Sequence, residues 1–229
     1  MKTWGSLAII GLAALSMTGC ATAAPAPAET VAAPVTPSAA PEADPVAESI
    51  VIGGLSFSIV FDTGESTEFD YASDPGTAIE ALTTAFGADP EVTVYGEVSC
   101  GTPFTATAWD GFSVFSDTDG LPPGQEFRVF AEKSVPLPVA ASDGSVLGED
   151  NSAVIAATED RFVSTWESKG ETNAYIYFDV QDLTADEELY DDSGPVSDSD
   201  DGRFAWGGLS YSTGGIVQRI SGPTFYIDC

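Results

Sequence analysis

The sequence contains no histidine, and this absence removes several kinds of chemistry. Ser-His-Asp and Cys-His catalysis, histidine-ligated zinc and imidazole pH switches all depend on that side chain. Positive charge is also scarce, because seven Lys and Arg residues stand against 36 Asp and Glu residues, a formal net charge of −29. Phosphate backbones repel a chain this anionic, so the composition argues against nucleic acid as a partner.

Long hydrophobic runs are lacking too, apart from one at the N-terminus. The 229 residues leave room for one domain of ordinary size or two small ones. The apolar stretch from Trp4 to Met17 follows a single cation, Lys2, and is too short to span a bilayer comfortably. These features predict a secretory signal peptide over residues 1–19.

The end of this signal carries a possible lipid attachment site. Met17-Thr18-Gly19-Cys20 resembles the bacterial lipobox, in which a pair of small residues precedes a cysteine. The resemblance implies that Cys20 is diacylated on its sulfur and becomes the first residue after cleavage. Because two acyl chains suffice for stable anchoring, the expected location is the cell membrane, lipid-anchored and facing outward. An ordinary signal peptide with a chance cysteine is the alternative.

A spacer follows the cysteine. Residues 20–47 are almost entirely Ala, Pro, Thr, Val and Glu, a composition that cannot bury a core and favours extended polyproline II. Folded structure is therefore expected only over residues 48–229.

Two cysteines remain once Cys20 is assigned to lipid. Cys100 and Cys229 form one potential disulfide in an oxidising compartment, and closing a loop of this size is worth roughly 4–5 kcal/mol on the chain-entropy model. Two buried free thiols are the alternative. A metal site is not expected, because two thiolates without histidine make a poor ligand set.

Hydrophobic periodicity predicts an α+β fold with mostly antiparallel strands and one short helix in each half. Asp74 and Pro75 predict the start of the first helix, Gly87 predicts its end, and Asp110-Gly111 predicts a hairpin. The first-half strands are expected at 55–61, 67–71, 91–97, 104–109, 112–115 and 126–131.

The second half repeats this order in outline. A strand is expected before Asp150-Asn151, which would cap a short helix ending near Thr158. Further strands are expected at 162–166, 174–180, 204–206, 209–213, 216–220 and 224–227. The Ala205-Trp206-Gly207-Gly208 segment echoes the sequence around the first hairpin. These features suggest a tandem duplication with halves 48–133 and 134–229, the acidic stretch 184–202 being an insertion.

Acidic segments are the main candidates for metal binding. The stretch 184–202 and the segment Asp117–Gly120 are rich in carboxylates, which suit calcium, but neither follows the EF-hand order. Solvated loops are the competing interpretation. The segment Gly208–Ser212 approaches a nucleophile elbow but ends in serine, and no base accompanies it. We therefore predict no catalytic residue, no metal site and no cofactor.

Tryptophan offers two interpretations. Trp109, Trp166 and Trp206 fit core or hairpin packing, and an exposed aromatic surface for a glycan or a peptide is the alternative. Trp109 and Trp206 are the candidate ligand-surface residues.

Five features together make the chain similar to acidic lipoproteins of actinobacteria. They are the lipobox, the Ala/Pro spacer, the helix ending at Phe86-Gly87, the Trp109-Asp110-Gly111 hairpin and the closing Gly215–Ile220 strand. That group of lipoproteins implies no activity. The helix-then-meander order is also similar, at the level of fold, to beta-lactamase-inhibitor-like and PepSY-like envelope domains. The expected function is a non-catalytic, lipid-anchored domain that binds an envelope protein or a wall component. The alternatives are a small carboxylate-dependent envelope hydrolase and a calcium- or solute-binding surface module.

Overall fold

The described part of the chain begins at residue 44, near the end of the Ala/Pro-rich spacer. A computed structural model describes residues 44–96, 103–116, 121, 124–132, 135–182 and 204–224. They belong to a compact unit over Ala43–Cys229. No helix among these residues combines the length and apolar character needed to cross a membrane.

Strands dominate the unit, which is broadly α+β. Four strands form a small sheet: β1 (Ala47–Ile52), β2 (Ser56–Phe61), β3 (Ser66–Asp70) and β8 (Val139–Ala141). Eight strands form a large sheet: β4 (Glu91–Tyr95), β5 (Phe104–Trp109), β6 (Phe112–Ser116), β7 (Phe127–Glu132), β9 (Val163–Ser168), β10 (Glu171–Asp182), β11 (Phe204–Thr213) and β12 (Ile216–Thr224). The helices are α1 (Pro75–Phe86) and α2 (Ser152–Ala157), with a 3-10 turn at Asp160–Phe162.

Helix α1 has the ends that the sequence predicts. The Asp74 carboxylate accepts a hydrogen bond from the Gly76 amide (3.0 Å), and Pro75 occupies the first turn, where no amide hydrogen is needed. Gly87 ends the helix at φ 64°, a left-handed conformation that costs glycine little. Both predicted boundaries are confirmed.

The large sheet consists of two antiparallel meanders joined along one strand pair. Its order is β4-β5-β6-β7-β12-β11-β10-β9, so β7 pairs with β12 at the junction. The hairpin predicted at Asp110-Gly111 connects β5 to β6. The small sheet has the order β3-β2-β1-β8, and its β1–β8 pair is parallel.

The predicted break in β11 is wrong. Residues 204–206 and 209–213 belong to one continuous strand, so Gly207 and Gly208 do not form a turn. Both are buried, and a β-carbon on Gly208 would collide with the ring of Phe178 on the neighbouring strand. The two glycines therefore permit close packing, and their resemblance to the Asp110-Gly111 hairpin is not matched in the structure. Likewise, β12 continues without a break from Ile216 to Thr224.

One face of the large sheet packs against α1 and the small sheet. Phe57 and Tyr71 meet Phe127 with ring centroids 6.3 and 5.4 Å apart. Phe86 of α1 lies 5.5 Å from Phe112 of β6. All five rings belong to the hydrophobic core or pack against it, so this layer leaves the opposite face of the large sheet for other contacts.

Candidate functional site

The face of the large sheet that points away from the core carries a continuous set of aromatic side chains. Residues that pair across neighbouring strands share a face of the sheet, so the strand register identifies the members of this set. The pairs lead from β4 through the β7–β12 junction to β9. We call this surface the aromatic face and define it by nine residues: Tyr95, Phe104, Phe115, Arg128, Phe130, Arg219, Tyr211, Tyr175 and Trp166.

The first meander contributes a row of four rings. Tyr95 stacks on Phe104 with centroids 4.5 Å apart, and Phe104 lies 5.5 Å from Phe115. Phe115 then meets Phe130 edge-on at 5.1 Å. Offset and edge-on arrangements at these distances are favourable for aromatic pairs. The row thus forms a preassembled apolar strip across β4 to β7.

The second meander contributes a cluster of three rings. Trp166 and Tyr211 lie 4.7 and 5.3 Å, respectively, from Tyr175, with their own centroids 6.1 Å apart. The Tyr211 hydroxyl donates to Oδ1 of buried Asn173 (2.9 Å), and Thr213 donates to the same oxygen (3.0 Å). These bonds hold the Tyr211 ring in one orientation.

Two arginines lie between the two aromatic groups. The Arg128 guanidinium carbon is 5.3 Å from the centroid of Phe115 and 5.1 Å from that of Phe130. Arg219 approaches Phe130 to 5.8 Å and makes an ion pair with Glu132 (3.2 Å). Positive charge is thereby concentrated at the centre of the face, in a chain with only seven cationic side chains.

The aromatic face is open in the part of the chain that the structure describes. None of its nine residues belongs to the buried hydrophobic core. Tyr95 and Trp166 are 41% and 37% exposed, Arg219 is exposed as well, and the other six are partly buried. An aromatic surface that is assembled but not covered is characteristic of an interaction site.

Apart from the aromatic face, a group of polar side chains holds the small sheet against the large sheet. Asp179 lies on a bulge of β10 at φ 49°, and its carboxylate accepts hydrogen bonds from the Gly54 amide (3.2 Å) and the Ser142 hydroxyl. Tyr71, fully buried, donates to the Gly53 carbonyl (3.2 Å). Burial, with a smaller contribution from the charge of Asp179, raises the pKa of Tyr71 well above its ordinary value.

Asp143 extends this polar group. Its carboxylate accepts hydrogen bonds from the amide (2.7 Å) and the hydroxyl (3.1 Å) of Ser145, which also contacts Ser210 of β11. Burial raises the pKa of Asp143, the Ser145 hydrogen bonds oppose this effect, and the charge of Asp179 adds to it. These bonds connect loops of the small sheet to strands β10 and β11 of the large sheet, which gives the carboxylates a structural role.

The candidate residues from the sequence are placed away from the aromatic face or lie outside the described residues. Trp109 is on the core side of β5, 7% exposed, with its indole N–H donating to the Ala88 carbonyl (3.1 Å), so its ring has no open side for a ligand. Trp206 belongs to β11, but its side chain lies outside the described residues.

The other predicted site residues lie in parts of the chain that the structure does not describe. Cys20, Cys100 and Cys229 are among them, as are 117–120 and 184–202, the two acidic segments considered for calcium. Among the residues that are described, no group of three or more acidic, cysteine or histidine side chains is arranged to hold a metal ion.

Comparison of this chain with known protein families, with curated proteins and with solved structures finds no match. The aromatic face is therefore interpreted from its own geometry.

Proposed function

We propose that this protein is a lipid-anchored, outward-facing domain of the cell envelope that binds a partner protein through the aromatic face and performs no catalysis. The observation that carries the proposal is the aromatic face itself. Seven aromatic rings and two arginines, drawn from all eight strands of the large sheet, meet on one open surface. Aromatic residues and arginine are the types that contribute most to the energy of protein–protein binding.

The extent of the face favours a protein over a small ligand. Neighbouring strands are about 4.8 Å apart, so the eight strands extend over roughly 34 Å. This width suits an ordinary protein interface, which covers about 800 Å² on each partner. A short glycan or a single solute would occupy only a strip of such a surface.

The N-terminal sequence supports the proposed location. Cys20 in its lipobox-like context would anchor the protein, and the Ala/Pro-rich spacer predicted over residues 20–47 would act as a tether. Cell fractionation tests this part: a Cys20→Ser variant should move from the membrane fraction to the soluble fraction. Unchanged membrane association would contradict the lipid anchor.

We also propose that the two halves arose by duplication. Support comes from the order of elements, because α1 precedes the meander β4–β7 and α2 precedes the meander β9–β12. The meanders meet edge to edge at the β7–β12 pair, and each carries one aromatic group of the aromatic face. On this proposal the binding surface is built from equivalent faces of the two halves.

The binding proposal is tested by affinity capture from envelope extract on the full-length protein in lipid nanodiscs. Raised salt removes partners held only by the net charge. Trp166→Ala and Tyr95→Ser remove the two most exposed rings of the aromatic face. Leu55→Ser is the matched control, because Leu55 is 45% exposed and lies in the small-sheet half of the unit.

The expected result is a saturable partner that survives raised salt and binds the control as well as it binds the wild-type protein. Trp166→Ala and Tyr95→Ser should each weaken its binding at least tenfold without changing the melting temperature. A partner retained equally by all variants would contradict the aromatic face as the contact surface.

A further inference from the structure

Arg128 is the least compensated charge on the aromatic face. It pairs across the strands with Phe115 and lies two residues before Phe130, so its guanidinium is held over both rings. Within the described residues it makes no ion pair, and its buried Nε–H has no hydrogen-bond acceptor. A buried donor without an acceptor destabilises the free protein, and aromatic faces replace only part of the lost hydration.

The second arginine differs from the first in having a carboxylate partner. Arg128 and Arg219 both lie over Phe130, at 5.1 and 5.8 Å from its centroid. Only Arg219 has a carboxylate partner, Glu132, and that ion pair is solvent-exposed. Glu132 offsets the charge of Arg219, so the positive charge that remains at the centre of the face is that of Arg128.

Among the residues that the structure describes, no carboxylate makes an ion pair with Arg128. Glu91 and Glu171 share the face by register but lie at the start of β4 and β10. Glu132 pairs with Arg219, and Glu126 is exposed just before β7. Arg128 thus lies in a small cationic centre between aromatic rings, in a chain whose formal net charge is −29. A guanidinium in this setting binds a carboxylate through paired, charge-assisted hydrogen bonds.

We propose that the partner protein places an Asp or Glu side chain on Arg128, between Phe115 and Phe130, so that the aromatic face selects an acidic segment with apolar neighbours. The inference rests on the proposed protein-binding function and specifies its partner. Charge complementarity supplies the anion, and the flanking rings supply the apolar surface on either side of it.

A displayed library of disulfide-constrained random peptides tests this preference. The library is selected on full-length protein in lipid nanodiscs, and bound peptides are then measured against wild type, Trp166→Ala, Arg128→Gln and Leu55→Ser. Each selected acidic peptide is also synthesised with Glu→Gln or Asp→Asn at the recurrent acidic position. Melting curves of the variants establish that each one is folded.

We expect that the selected peptides bind Trp166→Ala more weakly than they bind the wild type, and that they share an acidic residue at one position. Replacing that acid by its amide should weaken binding to the wild type at least tenfold and change binding to Arg128→Gln less than twofold. This non-additivity identifies the pair in direct contact.

Two other outcomes contradict the inference in different ways. In the first, Trp166→Ala weakens the binding of the selected peptides but Glu→Gln or Asp→Asn in the peptide does not. This result would overturn the carboxylate contact and leave the proposed binding function in place. A selection without any Trp166-dependent peptide would overturn the carboxylate contact together with the aromatic face as a binding surface.

Discussion

The ring of Phe178 occupies the space that a β-carbon on Gly208 would take, so the two neighbouring strands β10 and β11 pack through a glycine. Gly208→Ala should therefore force a core ring to move. We expect a loss of about 1–3 kcal/mol in the free energy of unfolding, measured by chemical denaturation. Gly96→Ala is the control, because a β-carbon there meets nothing within 4 Å. Equal stabilities of the two variants would show that Phe178 relocates at no cost.

Asp143 should make stability depend on pH in a defined direction. Its pKa is raised by burial, so between the ordinary carboxyl value, about 3.9, and the higher folded-state value the folded protein binds more protons than the unfolded chain. Stability from this group is therefore lost as pH rises through that window. Asp143→Asn should gain stability relative to wild type as pH increases from about 4 to 7.

Denaturant unfolding at several pH values measures this difference. Asp110→Asn is the charge-matched control, because Asp110 is exposed at the β5–β6 turn. A difference between wild type and Asp143→Asn that stays constant with pH would contradict the raised pKa.

Arg128→Met should separate stability from binding. The variant loses cation–π contacts of about 0.5–2 kcal/mol but also removes a desolvated donor without an acceptor, which costs about 1–3 kcal/mol. We expect an unfolding free energy equal to or above that of the wild type, together with weaker partner binding. Val129→Ala, one position along β7 and facing the core, should lose about 2 kcal/mol. A comparable loss in Arg128→Met would indicate a structural role for the arginine.

The Cys100–Cys229 pairing predicted from the sequence is open to a direct test. Non-reducing mass spectrometry should detect one disulfide-linked peptide pair, and a reductant should lower the melting temperature, since the bridge is worth up to about 4–5 kcal/mol. Alkylation of both cysteines in the unfolded protein without reductant would favour the two free thiols.

Elements with local signals were predictable from the sequence. Helix α1 depends on a capping carboxylate, a proline in the first turn and a left-handed glycine at its end, and all three can be identified from neighbouring residues. The β5–β6 hairpin likewise depends on its own Asp110-Gly111 turn. By contrast, β1 was missed, although it forms a hairpin with β2 and also pairs with the distant β8.

The aromatic face was not predicted, because its residues come from strands that only the sheet register brings together. Trp109 and Trp206 were predicted as ligand-surface residues from their residue type. The strand register and the burial of each side chain determine which aromatic rings are exposed. The sequence of β7 contained a signal for this face. Phe127, Val129 and Ala131 alternate along the strand and face the core, whereas Arg128 and Phe130 lie between them and face the opposite side of the sheet. Apolar or aromatic residues in both phases of a strand indicate a second contact surface.

The position of β12 has a consequence for how the protein reaches its native state. This strand is the last one described, yet it lies in the middle of the large sheet between β7 and β11. Until it pairs, each meander presents an unpaired edge that can join another chain. A chain that leaves a ribosome or a translocation channel from its N-terminus therefore carries two incomplete half-sheets until residues 216–224 have emerged. Its yield should depend on chaperones that shield those edges, and truncation before residue 216 should produce aggregates.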